Sequence, residues 1–228
     1  MSIAQKVFVA LDNMDQTEVL DLLPKLSNKV GGIKIGLEMY LRFGREFILK
    51  AHKIFDGEIF LDLKLHDIPN TVAKSIQGLE GLPVAFLTIH ASGGKTMLSA
   101  AVEAQKKFMP TTTLLAVTVL TSLDDKETAA IYANDRKQSF LRLLSLIEAC
   151  PGLGLVCSGA ELSLIEDKNI ITMVPGIRFE HEISSGKTQD QKSVFTPQQA
   201  IANGAHFLVI GRSITQAKDL GLTLTQLA

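Results

Sequence analysis

The feature that most limits what this chain can become is a repeat of short apolar runs, at 6–11, 32–37, 58–63, 84–90, 112–119, 153–157, 170–174 and 206–210, with helical patterns between them. Short apolar runs bounded by turn residues read as buried strands. Strands that alternate with helices pair in parallel, because each helix carries the chain back along the sheet. Eight such units in 228 residues suit a closed (β/α)8 TIM barrel near its lower size limit. An open doubly wound sheet is the alternative. Against it, no Gly-x-Gly-x-x-Gly follows the first run, where a dinucleotide-binding sheet would carry one. No linker or low-complexity stretch interrupts the pattern, so residues 1–228 are expected to form a single α/β barrel domain.

Local signals support several units. The run from Asp15 to Val30 opens on a good N-cap residue and places Val19, Leu20, Leu23, Leu26 and Val30 at helical spacing, with Pro24 expected to kink or split it. Thr196-Pro197 reads as a helix start and Asn203-Gly204 as its stop. With 46% hydrophobic residues and a net charge of -1, the chain can bury a core but has no basic excess for nucleic acid or an anionic membrane. No apolar stretch reaches the roughly 18 residues of a membrane span. The N-terminus lacks a signal-peptide cleavage pattern, so a cytoplasmic protein is expected. Cys150 and Cys157 are the only cysteines, expected to be reduced core thiols and not part of a metal site.

Charge is concentrated where a barrel does its chemistry. Phe60-Leu-Asp-Leu-Lys-Leu-His-Asp-Ile-Pro-Asn-Thr71 sets Asp62, Lys64 and Asp67 directly after an apolar strand run. Strand alternation puts Asp62 and Lys64 on the same face as Phe60. Pro69 suits the first turn of the next helix, which leaves His66 and Asp67 in the connecting loop. An isolated Asp-x-Lys is equally an ordinary buried ion pair. The same alternation turns Asp12, Lys34, Thr88 and His90 inward near the C-terminal ends of strands one, two and four, the active-site end of such barrels. Gly32 and Gly36 flank Lys34 on its face and leave room for its long side chain. Leu120-Thr121-Ser122 ends strand five, with hydroxyls for a polar ring or for a turn and cap before Asp124.

The loops after strands seven and eight read Pro175-Gly176-Ile177-Arg178 and Gly211-Arg212-Ser213. Barrels often bind phosphate there. Glycine admits close approach to backbone N–H groups, and arginine supplies a fork of charged donors. A helix starting near Ser213 would aim its positive end at the anion. The polar stretch 179–195 is long enough to be a lid that closes on the ligand's anionic end.

These residues together resemble the bacterial orotidine 5'-monophosphate decarboxylase family nearly end to end: Ala10-Leu11-Asp12, Ile33-Lys34-Ile35-Gly36, Asp62 through Thr71, Leu120-Thr121-Ser122, Pro175 through Arg178, Asp190-Gln191 and Gly211-Arg212-Ser213. Val174 stands where the family commonly has Thr, and Cys150 to Gly154 is more apolar than usual. The resemblance implies a (β/α)8 homodimer that converts orotidine 5'-monophosphate to UMP and CO2 without metal or cofactor. It implies Lys64 as proton donor, Asp62 against the scissile carboxylate, Lys34 bridging the aspartates, and Asp67 entering the neighbouring subunit's site. By the same resemblance Asp12 and Thr71 hold the ribose, Thr121 and Ser122 the pyrimidine, and Arg178, Gln191, Arg212 and the Gly211 amide the phosphate.

Two rivals follow. Metal-dependent sugar-phosphate relatives such as hexulose-6-phosphate synthase share Asp-x-Lys-x-x-Asp but carry an acidic residue on strand two to help hold magnesium. Here Lys34 occupies that strand and would repel the ion. In that reading His90 would be the acid/base; otherwise it is a rim or packing group. The second rival is a phosphate-binding barrel without catalysis, which would have no use for the charged array.

Overall fold

The computed structural model describes residues 2–165, 169–184 and 194–227. Eight parallel strands close into a barrel in chain order: β1 (Val7–Ala10), β2 (Gly32–Gly36), β3 (Glu58–Leu65), β4 (Phe86–His90), β5 (Thr113–Val117), β6 (Leu153–Val156), β7 (Thr172–Val174) and β8 (Phe207–Ile210). Every run expected to be a strand is one, trimmed or extended by a residue or two at its ends.

Alternation sorts the strand residues into two cores. Val7, Val9, Ile33, Ile35, Ile59 and Leu61 belong to the large cluster between sheet and helices. Phe8, Ala10, Phe60, Phe86, Leu115, Met173 and Val209 form a second cluster inside the barrel. The Phe8 ring meets Phe60, Phe86 and Phe207 edge to face, with centroids 6.2, 5.4 and 5.6 Å away. Such pairs add about 0.5–1.5 kcal/mol each beyond the area they bury. Gly32 serves this floor and not Lys34 as expected: a Cβ there would collide with the Phe8 ring and stand 2.7 Å from the Glu58 carbonyl oxygen. Gly36 does make room for Lys34, since a Cβ would lie 3.2 Å from its Nζ and 2.5 Å from Asp12 Oδ1.

Helix α1 (Gln16–Leu26) begins with a reciprocal cap, Asp15 Oδ1 accepting from the Glu18 amide at 2.8 Å and Glu18 Oε2 from the Asp15 amide at 2.9 Å. Pro24 neither splits this helix nor lets it reach Val30. It sits in the last turn, and the chain reverses through Asn28 at φ +61°. Helix α2 (Leu37–Ile54) is broken at Gly44, whose φ of +65° no helix accommodates. Helix α3 (Pro69–Gly78) starts on Pro69 as expected, and the helix Pro197–Ala202 is capped by Thr196 and followed by Gly204 at φ +98°. Among the described residues no helix is long and apolar enough to cross a membrane.

Candidate active site

Four strand ends, those of β1 to β4, converge on one polar cluster above the aromatic floor. Lys34, 7% exposed, spans from β2 to Asp12 just beyond β1, with Nζ 2.9 Å from both carboxylate oxygens. The same ammonium lies 3.6 Å from Asp62 Oδ2. Lys64 Nζ donates to that oxygen at 2.7 Å, and the hydroxyl of fully buried Thr88 donates to Asp62 Oδ1 at 2.8 Å. The row Asp12, Lys34, Asp62, Lys64 therefore alternates in sign within a single chain. At about 4 Å and an effective dielectric near 20, each opposite pair is worth roughly 4 kcal/mol before desolvation is charged against it.

Lys64 reaches Asp62 by a route that simple alternation does not describe. β3 and β4 pair Leu61 with Leu87 and next Leu65 with Ile89, a register shift within the stretch that holds Lys64. Lys64 itself has φ +51°, a left-handed conformation that a side-chain-bearing residue adopts only at a cost of about 1–2 kcal/mol. Its amide, turned off the ladder, donates to Thr88 Oγ1 at 2.9 Å.

The electrostatics follow from this geometry. Burial alone would push the Asp62 carboxyl up, but Lys34 and Lys64, with hydrogen bonds from Lys64 and Thr88, hold it below its ordinary 3.8. His90 is pulled down to about 4, first by burial and then by His66 and Lys64. It is thus neutral at pH 7, stacked on His66 at 5.2 Å with its buried Nδ1 lacking a partner. Burial, then Glu161, raises the Cys157 thiol well above its usual range, and Cys150 is buried too. Among the described residues, no group of three or more His, Cys, Asp or Glu side chains is placed to hold a metal ion. Lys34 already engages both carboxylates a cation would seek.

Above the cluster lies a cavity of about 350 Å³, within the range of small-molecule sites. Of the residues singled out from sequence, Asp12, Lys34, Asp62, Lys64, Thr121, Arg178, Gly211 and Arg212 line it. Arg178 is 6% exposed, and its amide donates to the Phe195 carbonyl at 3.0 Å, after Gly176 turns the loop at φ +81°. The helix expected near Ser213 is a single turn, Arg212–Thr215, so it offers amide donors without an appreciable axial dipole. Ser213 donates to Glu182 Oε1 at 3.0 Å, and the Phe179 amide donates to Glu182 Oε2 at 3.0 Å. This joins the two arginine loops through the short helix Glu180–Ser184 that opens the expected lid. Gln191 and the rest of the lid from 185 to 193 lie outside the described residues.

Three candidates stand away from the cavity. Ser122 and Thr71 are exposed and do not line it. Asp67 is exposed as well. Its Oδ1 accepts from the Ile68 amide at 2.7 Å, and among the described residues it forms no ion pair with Lys34 or Lys64. Ile68 beside it is 66% exposed, and Leu37 and Leu41 of α2 are 48% and 74% exposed.

Sequence reasoning passed over the apolar wall of Val117, Val119 and Val156, although the inward alternation of β5 and β6 marks Val117 and Val156. It also passed over Arg136, whose Nε pairs with buried Glu161 at 3.1 Å and whose NH1 donates to the Leu120 carbonyl at 3.3 Å. That support of the Thr121 loop comes from a distant helix, and no local signal announces it.

A model of the Orotidine 5'-phosphate decarboxylase / HUMPS family matches residues 5–226. The orotidine 5'-phosphate decarboxylase of Dichelobacter nodosus is 40% identical over 217 residues, 93% of each chain. That of Legionella pneumophila (strain Philadelphia 1) is 41% identical over 219 residues, 94% of this chain and 93% of the relative. The crystal structure of orotidine 5'-phosphate decarboxylase from Lactobacillus acidophilus superposes with a TM-score of 0.79 at 30% identity, covering 97% of this chain and 96% of the other. With the barrel, the charged row and the paired arginine loops in place, the chain belongs to the orotidine 5'-phosphate decarboxylase / HUMPS family.

Proposed function

We propose that this chain decarboxylates orotidine 5'-monophosphate to UMP and CO2 in pyrimidine biosynthesis, with residues 1–228 acting as one barrel domain in a cytoplasmic homodimer. The observation that carries this reading is the alternating row Asp12, Lys34, Asp62, Lys64 beneath a cavity whose far rim holds Arg178 and Arg212. Breaking the bond between ring carbon 6 and the carboxylate leaves an electron pair on carbon 6 while the carboxyl carbon departs as CO2. The Lys64 ammonium faces that developing charge and gives its proton to carbon 6; the resulting amine regains a proton from water. A cation held in place before the reaction, in a site with little water, needs no reorganisation as the charge appears.

Asp62 fixes Lys64 and stands beside the substrate carboxylate, where repulsion is relieved as CO2 leaves. Lys34 bridges Asp12 and Asp62 and keeps Asp62 ionised. Arg178, Arg212, the Gly211 amide and Gln191 hold the phosphate, whose binding energy drives the pyrimidine against like charge. Thr121 and Ser122 meet the base, and Asp12 with Thr71 the ribose. Asp67, exposed on its own chain beside exposed Ile68, completes the partner subunit's row across a two-fold axis. The deciding experiment follows the absorbance of orotidine 5'-monophosphate after adding the protein in excess chelator. Turnover is expected to persist; an inert protein, or one rescued only by magnesium, would overturn the reading.

A further inference from the structure

Thr88 stands outside the charged row, yet two of its members meet at its hydroxyl. Resting on the decarboxylase reading above, we infer that Thr88 is a positioning residue for the reaction: its hydroxyl sets the rotation of the Asp62 carboxylate and holds the backbone turn that carries Lys64.

The hydrogen-bond directions leave no freedom. The Lys64 amide can only donate, and ionised Asp62 can only accept, so the hydroxyl's one proton goes to Asp62 Oδ1 and a lone pair takes the Lys64 N–H. Asp62 Oδ1 is thereby kept on Thr88 while Oδ2 serves both ammonium groups, Lys64 at 2.7 Å and Lys34 at 3.6 Å. Were Oδ1 released, the carboxylate could rotate and share both oxygens between the lysines, moving the proton donor.

Thr88 is suited to act as the fixed point. It is fully buried and pairs in regular register with Leu115 of β5. The irregular strand is β3, where the register shift takes the Lys64 amide away from the β4 backbone. The Thr88 hydroxyl stands in for the missing ladder partner, so the left-handed turn at Lys64 and the Asp62 rotamer depend on one oxygen. A displacement near 1 Å at a reacting group can cost about 100-fold in rate.

The test compares Thr88→Val, Thr88→Ser and Thr88→Cys in the full chain. It measures kcat and KM on orotidine 5'-monophosphate, UMP affinity and the melting temperature. Thr88→Val preserves shape and removes the hydroxyl. It is expected to lower kcat by about 10- to 100-fold while KM and UMP affinity stay within about threefold, because the phosphate grip is untouched. Thr88→Ser keeps the hydroxyl and loses a buried methyl. It should melt lower yet retain kcat within about threefold of wild type. If Thr88→Val does not fold, Thr88→Cys carries the comparison: a weak thiol donor of similar size to Ser should lose at least about tenfold.

A Val variant with unimpaired kcat would overturn the inference. So would a Ser variant as slow as Val or Cys, since activity would then track stability and not the hydroxyl. Wild type assayed alongside separates the two ideas: an inert wild type removes the decarboxylase reading and this inference with it, whereas an active wild type beside an active Val variant removes the inference alone.

Discussion

The floor and the ceiling of the barrel interior are built from the same strands, one or two inward positions apart, and they obey opposite rules. Phe8, Phe60 and Phe86 interlock edge to face in the floor. Further along the same inward faces stand Asp12, Asp62 and Thr88, and β2 carries Gly32 below and Lys34 above. The floor is held by shape and exclusion of water, the ceiling by paired charge. Each depends on the other: an apolar base lowers the local dielectric and strengthens the ion pairs, and the same low dielectric makes an unpaired charge costly. A deletion in the ceiling should therefore damage chemistry, and one in the floor stability.

The largest expected effect is on Lys64. Lys64→Ala removes the proposed cation and proton donor together, so turnover should fall by at least about 10²–10⁴-fold, the range of general acid catalysis alone. Asp62 keeps Lys34 and Thr88 as partners, so circular dichroism and UMP binding should report a folded protein. More than about a hundredth of wild-type turnover in this variant would contradict the role.

Phe8→Ala sharpens the contrast from below. It removes a fully buried ring that touches three others and should cost about 3–5 kcal/mol of stability by denaturant titration. At a temperature where it remains folded, its kcat should fall far less than that of Lys64→Ala. A floor variant as dead as the lysine variant would show that the two halves cannot be separated.

Acid should dismantle the ceiling first. Asp62 is held below its ordinary 3.8, so its contribution to stability is fully present above that value and is lost as pH falls through the lower folded value. Unfolding free energy measured across this acid window should decline, and Asp62→Asn should flatten the decline. His90, lowered from an ordinary 6.5 to about 4, resists protonation in the fold, so its own contribution is lost earlier, as pH falls from 6.5 to about 4. Asp62→Asn should leave that first part of the decline in place.

The legibility of the molecule divides along the same line. The floor and the strand count could be read because short apolar runs and period-two alternation are local signals, and they located Phe8, Phe60, Lys34 and Asp62 on one face. Regular alternation puts Lys64 on the face of Asp62, but in the structure a left-handed turn and a register shift bring it there. Nothing local announces a bulge at a lysine, since the partner that stabilises it, Thr88, lies on the next strand. Pro24 misled in the other direction, because a proline in a last turn forfeits one hydrogen bond at most. The loop position of Asp67 follows from Pro69, but the exposed positions of Thr71 and Ser122 could not be seen in the sequence, as distance from a cavity is a tertiary property.

Asp67 offers the finest test of the comparison, because it is exposed on its own chain and is proposed to complete the ceiling of the partner. Two variants, each expected to be inactive alone, are mixed: Lys64→Ala and Asp67→Ala. In a mixed dimer one site takes Lys64 from the second chain and Asp67 from the first, and the other site lacks both. Random exchange makes half the dimers mixed, each with one intact site of two, so activity should recover to about a quarter of wild type, a fourfold deficit by two-fold counting. Chain exchange is verified separately, for example by mass spectrometry of dimers labelled on one variant. If exchange is complete and no activity returns, Asp67 serves the site of its own chain through a loop rearrangement, and the row of charge is not shared across the axis.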